Sequence, residues 1–231
     1  MQFTDTLVVA DGTIGLYANG KRDARVAVIV LQEIFGVNAN IRSTVDRFAD
    51  LGYRAVAPDL YWRKRAGVDL DPGDADSRTA AMELALGYRE SITANMADLA
   101  SLVSDLRKSH RAVAVIGYCL GGWIAFKSWL HLDVNAVVSY YGVGIGDELD
   151  EITGQTTPLL MHMGAEDPLN PPAVQAAIGE ALAGLSHVSM RVYPGVGHAF
   201  ARLNGASYVA EAATRADAAT FEFLARHLPL A

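Results

Sequence analysis

The sequence has a single cysteine in 231 residues, so no disulfide can form within the chain and the fold does not depend on an oxidising compartment. Long apolar runs are also missing: the longest, 26–31, is far shorter than the roughly 18 to 20 residues that cross a bilayer. Residues 1–11 include Asp5 and Asp11 and lack the basic start and apolar segment of a secretory signal. We therefore expect a cytoplasmic protein that does not cross a membrane.

Positive charge is in short supply. Lysine and arginine together number 19 against 26 aspartates and glutamates, and the formal net charge is -7. Because this field repels the phosphates of a nucleic acid, a nucleic-acid partner is not expected. No segment stands out as an interaction surface, which leaves a monomer as the expected state.

The order of apolar segments predicts a doubly wound, mostly parallel α/β fold. With 51% hydrophobic residues the chain can bury a sizeable core, and we expect one domain over 1–231. Two short segments around Asp11 and Gly12 indicate an antiparallel amino-terminal edge. The predicted strands are 6–10, 14–17, 26–31, 53–58, 114–117, 136–140, 159–163 and 188–193. The predicted helices are 41–51, 78–108 with a break near Gly87, 173–183 and 207–227, and the polar connection 61–77 is expected to border an active site.

The stretch 114–123 has the pattern of a nucleophile elbow with cysteine in place of serine. An apolar run ends at Gly117, Cys119 stands at the turn, and Gly121 and Gly122 open a helical pattern. Small neighbours are needed because the central residue of an elbow has a strained backbone and packs closely against the chain. The amino end of a helix also favours a thiolate. On this motif alone, a buried structural cysteine remains an open alternative.

Two later loops carry the residue types that such a thiol needs. In α/β-hydrolases the acid and the base follow the nucleophile in chain order, each after a later strand. Asp167 comes after the predicted strand 159–163, and His198 comes after 188–193. Each could by itself be an ordinary turn or loop residue. Their types, order and positions together favour a triad of Cys119, His198 and Asp167.

The other five histidines are not expected to be catalytic. His162 lies within a predicted core strand and should be buried with its hydrogen bonds satisfied. The remaining four stand near the ends of predicted elements, and they are His110, His131, His187 and His227. We find no cluster with the spacing of metal ligands, and the glycines at 142, 144 and 146 lack the spacing of a dinucleotide site and indicate a loop. Neither a metal nor another cofactor is predicted.

Five short stretches give the chain a resemblance to the dienelactone hydrolases, or carboxymethylenebutenolidases, which are α/β-hydrolases with a Cys, His, Asp triad. They read QEIFGVN at 32–38, PDLY at 58–61, GYCLGG at 117–122, YYG at 140–142 and GHAFAR at 197–202. The resemblance covers nearly the whole length. It implies the α/β-hydrolase fold and cofactor-independent hydrolysis.

The resemblance also implies roles that spacing alone does not indicate. Glu33 would otherwise be read as an ion-paired structural residue, because a carboxylate at the end of a buried strand is costly unless it is paired. The resemblance implies instead that Glu33 interacts with the resting thiol of Cys119 and helps to generate the thiolate when substrate arrives. It further implies an oxyanion hole made by the backbone N–H groups of Ile34 and Leu120.

Substrates of the family are small lactones that carry a carboxylate, which needs a cationic partner. Arg202 matches the family's binding arginine, and Arg78 is the candidate for a second, although each could be an ordinary surface residue. Phe35 and Tyr141 are the other implied substrate contacts. The chain departs from the family pattern at Ala199, where serine is frequent, and at Met82 and Ala85, where larger aromatic residues are common.

The predicted reaction is the opening of dienelactone to maleylacetate through an acyl-enzyme, as in the breakdown of chloroaromatic compounds. One alternative is an esterase of the same family that acts on other small esters or lactones. Another is a non-catalytic member that binds a ligand on the hydrolase scaffold. Thiol redox chemistry ranks last, because a second cysteine is lacking.

Overall fold

The computed structural model describes residues 3–230 and shows one eight-stranded sheet with helices around it. Residues 1, 2 and 231 of the predicted domain lie outside the described residues. The strands are β1 (Asp5–Val9), β2 (Gly12–Asn19), β3 (Val26–Leu31), β4 (Arg54–Pro58), β5 (Ala112–Tyr118), β6 (Ala136–Tyr140), β7 (Leu159–Gly164) and β8 (Val188–Tyr193). The α-helices are α1 (Ala39–Asp50), α2 (Ala75–Glu90), α3 (Ile92–Leu106), α4 (Leu120–His131), α5 (Pro172–Ala181) and α6 (Ala210–His227), and a 3₁₀ helix spans Ile145–Glu151.

The sheet order is β1-β2-β4-β3-β5-β6-β7-β8. Strand β1 pairs with β2, and β2 with β4, in antiparallel register, whereas β3 with β4, β6 with β7, and β7 with β8 are parallel. The predicted parallel sheet with an antiparallel amino-terminal edge is therefore confirmed. Strands β3, β4, β5, β6 and β7 are buried along their whole length, as their continuous apolar runs indicate.

Tertiary contacts divide the described residues into two compact units, one from 3 to 114 with residue 230, and one from 115 to 229. The boundary falls within β5. In the first unit the apolar core is centred on β3, which is no more than 1% exposed at any residue. In the second unit β6 and β7 are equally buried, while β8 is half exposed along most of its length. The single domain remains a prediction.

The predicted division of 78–108 into two helices is present, but the break lies at Ser91 rather than at Gly87, because α2 continues to Glu90. Gly87 lies inside the helix, where a Cβ atom would come within 2.4 Å of the Nζ atom of Lys64. The glycine therefore accommodates a neighbouring side chain. At this break, the side-chain amide of Asn95 donates to the carbonyl of Tyr88 at 2.9 Å.

The loop predicted at the glycines of 142–146 is only partly correct, because the 3₁₀ helix begins at Ile145 after Gly144, whose φ is +98°. Its Glu148 accepts hydrogen bonds from the indole of Trp123 at 2.8 Å and from Lys127 at 2.6 Å, both on α4. These contacts stabilise a turn of helix that local sequence does not indicate. Among the described residues, the structure contains no helix with the length and apolar character needed to cross a membrane.

Candidate active site

Cys119 stands between β5 and α4 with a backbone that few residues other than glycine adopt, φ +54° and ψ -112°. Its side chain is buried, with 8% of the residue exposed. The amide of Cys119 donates to the carbonyl of Tyr140 at the end of β6, 3.0 Å away. The first turn of α4 then closes when the amide of Trp123 donates to the carbonyl of Cys119 at 3.2 Å. The turn is therefore held on both sides of the sulfur-bearing residue.

Glycines make this turn possible because the backbone around it is packed too closely for side chains. A Cβ atom at Gly117 would lie 1.8 Å from the carbonyl oxygen of Gly121. At Gly122 a Cβ atom would lie 2.6 Å from the carbonyl oxygen of Tyr140 and 2.8 Å from the Cα atom of Gly142. Real Cβ atoms do not approach backbone so closely, so each of these substitutions would displace the elbow.

Asp167 and His198 form a directed pair at the carboxyl ends of β7 and β8. The Nδ1 atom of His198 is 2.9 Å from the Oδ2 atom of Asp167, whose side chain is fully buried. The carboxylate also accepts from the amide of Leu169 at 2.8 Å and from the side chain of Asn170 at 3.1 Å. Burial by itself raises the pKa of Asp167. The hydrogen bond and the charge of His198, together with the hydrogen bonds from Asn170 and Leu169, outweigh burial, so the pKa of Asp167 is lowered.

The loops that carry the pair are joined by main-chain hydrogen bonds. The amide of Ala165 donates to the carbonyl of Tyr193 at 2.9 Å, and the amide of Glu166 donates to the carbonyl of Val196 at 3.0 Å. Gly164 permits this approach, because a Cβ atom there would lie 2.6 Å from the carbonyl oxygen of Val196. The short separation of Asp167 and His198 thus follows from backbone pairing as well as from their own hydrogen bond.

The imidazole of His198 is held by Asp167 and packs against Tyr141. Burial disfavours its cation, but the hydrogen bond to Asp167 and the interaction with the Cys119 sulfur raise the pKa of His198 to about 10. The ring of Tyr141 packs edge-on against the imidazole, with centroids 5.2 Å apart. The Nε2 atom is buried, and because Nδ1 is bonded to Asp167 it is the ring nitrogen left for the interaction with the Cys119 sulfur. This nitrogen is the one available to a substrate or a water molecule.

A family model places the chain among known proteins, since the model of the dienelactone hydrolase family matches residues 14–228. The chain belongs to the dienelactone hydrolase family. It is 37% identical over 217 residues to the carboxymethylenebutenolidase of Pseudomonas putida, covering 92% of this chain and 91% of that protein. It is 34% identical over 219 residues to carboxymethylenebutenolidase 1 of Cupriavidus pinatubonensis, covering 93% and 92%.

A solved structure also shares the fold. The dienelactone hydrolase-like promiscuous phosphotriesterase from metagenomic libraries matches with a TM-score of 0.78 at 21% identity, and the match covers 96% of each chain. At this identity the likeness concerns the fold alone. The family and the α/β-hydrolase fold predicted from sequence are confirmed, and the protein is a carboxymethylenebutenolidase-like hydrolase.

In the first unit, the segment after β3 contains three of the residues that the family resemblance singles out. Glu33 and Phe35 are each 1% exposed, and Ile34 is half-buried. The polar connection 61–77 contacts this segment. The hydroxyl of Tyr61 donates to the carbonyl of Ile34 at 3.1 Å, and the amide of Leu70 donates to the carbonyl of Phe35 at 3.0 Å. Gly36, with φ +80°, leaves room for the carbonyl of Val68, which a Cβ atom would meet at 2.1 Å.

The two arginines differ in setting. Arg202 is half-buried in the second unit, in the same loop as His198, and its amide donates to the carbonyl of Ala199 at 3.0 Å. Arg78 is exposed in the first turn of α2, where its guanidinium donates to the carbonyl of Pro72 at 2.9 Å. Further along α2, Met82 is 62% exposed whereas Ala85 is buried.

The other predicted residues of the second unit lie next to the elbow or the histidine. Leu120 is the first residue of α4 and is buried. Tyr141 follows β6 with φ +40°, and Ala199 follows the histidine with φ +61°, so both side chains are directed by an uncommon backbone. The structure thus places Cys119, Leu120, Asp167, Tyr141 and His198 in one compact unit.

Asn170, which lies beside the pair of Asp167 and His198, is not identified by the sequence analysis. Asn170 binds Asp167, and the side chain of Gln175 donates to the carbonyls of Gly164 and Asn170, each at 2.8 Å. The spacing Asp-x-x-Asn after a strand is the only local signal. His110, which follows a predicted helix and is not expected to be catalytic, is buried, with Nδ1 2.6 Å from the carbonyl of Ala24.

The packing at the elbow predicts opposite effects for one substitution at two glycines. Gly117→Ala should lower the free energy of unfolding by about 3 kcal/mol or more, because its Cβ atom would collide with backbone that cannot rotate away. Gly179→Ala should raise it by about 0.5–1 kcal/mol, since this glycine lies inside α5 and its Cβ atom meets only the Met190 side chain at 3.6 Å. Urea unfolding followed by circular dichroism measures both. Equal effects of the two variants would contradict the packing argument.

The raised pKa of His198 predicts a loss of stability at alkaline pH. The folded protein keeps a proton on His198 up to about pH 10, whereas the unfolded chain releases it near pH 6.5. This contribution is therefore complete below pH 6.5 and is lost as the pH rises through about 10. The free energy of unfolding should fall across this range, and His198→Gln should remove that part of the fall. His227→Gln is the control, because burial and Arg226 lower the pKa of His227. A slope unchanged in His198→Gln would refute the assignment.

Proposed function

We propose that the protein opens a small lactone bearing a carboxylate, with dienelactone to maleylacetate as the preferred reaction. The observation that supports this most directly is the 2.9 Å hydrogen bond between the imidazole of His198 and the buried carboxylate of Asp167, in the unit that presents Cys119 at an elbow. In this proposal the enzyme is a monomer in the cytoplasm, a compartment in which a lone thiol stays reduced. Its substrates would be products of chloroaromatic breakdown.

In the proposed reaction, the thiolate of Cys119 attacks the lactone carbonyl and a carbon–sulfur bond forms. The ring carbon–oxygen bond then breaks, and the imidazolium of His198 gives its proton to the departing oxygen. Water next attacks the thioester while His198 takes a proton from it, and cleavage of the carbon–sulfur bond regenerates the thiolate. The raised pKa of His198 suits the first step, because the resting ring already carries the proton that the leaving oxygen needs.

Asp167 orients the imidazole in this scheme. Its hydrogen bond to Nδ1 fixes the ring so that Nε2 carries the proton to be transferred, and its charge stabilises the imidazolium. The oxyanion is assigned to the backbone N–H groups of Ile34 and Leu120. The helix end at Leu120 supports this assignment, since the amides of a first helical turn have no partners within the helix.

Glu33 has a regulatory part in the proposal. Its carboxylate interacts with the resting thiol and releases it when an anionic substrate binds, which would protect Cys119 from oxidation between turnovers. The near-complete burial of Glu33 supports a specific role, because a buried carboxylate without one would be costly.

The substrate carboxylate is assigned to Arg202, with Arg78 as a second partner and with Phe35 and Tyr141 as apolar contacts. A half-buried arginine in the loop of the catalytic histidine is well suited to this task, because a guanidinium binds a carboxylate through two parallel hydrogen bonds. The exposed Arg78 would contribute mainly through its charge.

A second candidate is an esterase of the same family with a different small ester as substrate. Ala199 supports it, because this position is 2% exposed, directly follows His198 and offers no hydroxyl to a substrate. Kinetics on cis-dienelactone, trans-dienelactone and simple aryl esters decide between the two candidates by their order of kcat/KM. Stoichiometric binding without turnover on the whole panel would instead favour a non-catalytic ligand-binding member.

The nucleophile is tested by Cys119→Ala, which should reduce hydrolysis of dienelactone and of p-nitrophenyl acetate by about a thousandfold or more. Cys119→Ser should be intermediate or inactive, since a hydroxyl is a weaker nucleophile. Iodoacetamide should inactivate the resting wild-type protein slowly, because Glu33 holds the thiol in the proposal, and with a stoichiometry of one, because the chain contains one cysteine. Full activity of Cys119→Ala on both substrates would refute the mechanism.

The binding of the substrate carboxylate by Arg202 is tested by Arg202→Gln. This variant should lower kcat/KM for the carboxylate-bearing lactone by about tenfold or more, because a charged hydrogen bond is lost. Hydrolysis of p-nitrophenyl acetate, which is neutral, should change by less than about twofold. Arg226→Gln is a matched control, because it removes the same charge from an exposed position near the end of α6. An equal loss on both substrates would show that Arg202 does not bind the carboxylate.

A further inference from the structure

Behind the elbow, five polar side chains form a continuous chain of hydrogen bonds across β6, β7, β8 and α6. They are Tyr140, His162, Tyr193, Asp217 and Thr220. The hydroxyl of Tyr140 is 3.0 Å from Asp217 Oδ1 and 2.7 Å from Thr220 Oγ1. The Nε2 atom of His162 is 3.0 Å from Thr220 Oγ1, and its Nδ1 atom is 2.9 Å from the hydroxyl of Tyr193. All but Asp217 are no more than 3% exposed.

The protons of this chain can be arranged in one direction only. Asp217, as a carboxylate, can only accept, so Tyr140 uses its single proton on that bond. The oxygen of Tyr140 must then accept from the hydroxyl of Thr220, whose own oxygen accepts from Nε2–H of His162. Burial and the charge of Arg191 lower the pKa of His162 to about 3, so the ring is neutral and carries one proton. Its Nδ1 atom therefore accepts from the hydroxyl of Tyr193.

The main chains of the same residues hold the three loops of the candidate triad. The carbonyl of Tyr140 accepts from the amide of Cys119 at 3.0 Å, and that of Tyr193 accepts from the amide of Ala165 at 2.9 Å, two residues before Asp167. The carbonyl of His162 accepts from the amide of Tyr141 at 2.7 Å. The ring of Tyr141 in turn packs against His198.

We propose that Thr220 is a positioning residue whose hydroxyl, at the centre of this one-way chain, keeps the elbow, the Asp167 loop and the His198 loop in register. The hydroxyl joins Tyr140 to His162, because it is hydrogen-bonded to both side chains. Its removal leaves a buried oxygen acceptor and a buried N–H donor without partners, which the strands can relieve only by moving. A shift of about 1 Å at a catalytic group can reduce the rate on the order of a hundredfold.

Because the inference rests on the proposed function, its test combines turnover with readouts that need none. Thr220→Val should lower kcat for the most active lactone or ester by about ten- to a hundredfold, with KM changed by less than about twofold. Thr220→Ser, which keeps the hydroxyl, should recover kcat to within about threefold. The matched control is Thr44→Val, which also removes a buried helical hydroxyl, one that donates to the carbonyl of Asn40 within its own helix at 2.9 Å, and it should leave kcat unchanged.

Two measurements are independent of turnover. Nitrogen NMR should show His162 as the Nε2–H tautomer in the wild-type protein and a changed ring signal in Thr220→Val. The rate of alkylation of the lone Cys119 by iodoacetamide should fall in Thr220→Val and recover in Thr220→Ser. If Thr220→Val does not fold, Tyr193→Phe removes the terminal donor of the chain and should lower kcat and the alkylation rate several-fold.

The outcomes separate the two proposals. Wild-type protein without turnover on any lactone or ester would refute the proposed function, while the tautomer and the alkylation rate would still decide the role of Thr220. A Thr220→Val protein that is less stable but keeps kcat and the alkylation rate within about twofold of wild type would overturn the positioning role. So would a proton on Nδ1 of His162 in the wild-type protein.

Discussion

The candidate site depends on the backbone of Cys119, held at a positive φ that costs on the order of 1–3 kcal/mol for a residue with a Cβ atom. Such strain persists only where the surroundings leave the chain no alternative. Here the carbonyl of Tyr140 accepts from the strained residue, and Gly117 and Gly122 let the neighbouring backbone pass at distances that no side chain tolerates. The strain directs the sulfur out of the turn at the start of α4, where backbone amides without helical partners are concentrated.

Electrostatics in the second unit separate two buried histidines into opposite roles. His198 faces a carboxylate and a sulfur, and these partners outweigh burial and raise its pKa. His162 is more deeply buried and meets only hydroxyl groups through its ring nitrogens, so burial dominates and its pKa falls to about 3. One residue can therefore exchange protons with a reacting group, while the other serves as a fixed donor and acceptor.

Much of the fold could be predicted because its central strands, β3 to β7, are mostly apolar and buried along their whole length. The predicted bounds of β3, β6 and β8 agree with the structure, and those of the other strands differ by one or two residues at an end. Helix ends were less predictable, as Gly87 shows, because the glycine there makes room for Lys64, a neighbour distant in sequence. Thr220 and Asn170 could not be predicted for the same reason, since no local sequence pattern indicates their contacts. Thr220 is hydrogen-bonded to His162, and Asn170 to Asp167.

The chemistry of the site is easier to infer than its substrate because the two depend on different kinds of residue. Cys119, Asp167 and His198 are fixed by backbone pairing and strain, so their types and order nearly determine what they can do. In the proposed function, selectivity is assigned instead to side chains such as Arg78, Arg202 and Met82, which are half-buried or exposed. A substitution at these positions is expected to change which ester binds and to leave the proposed proton transfers in place. Within one family, the reaction is therefore expected to vary less than the range of substrates.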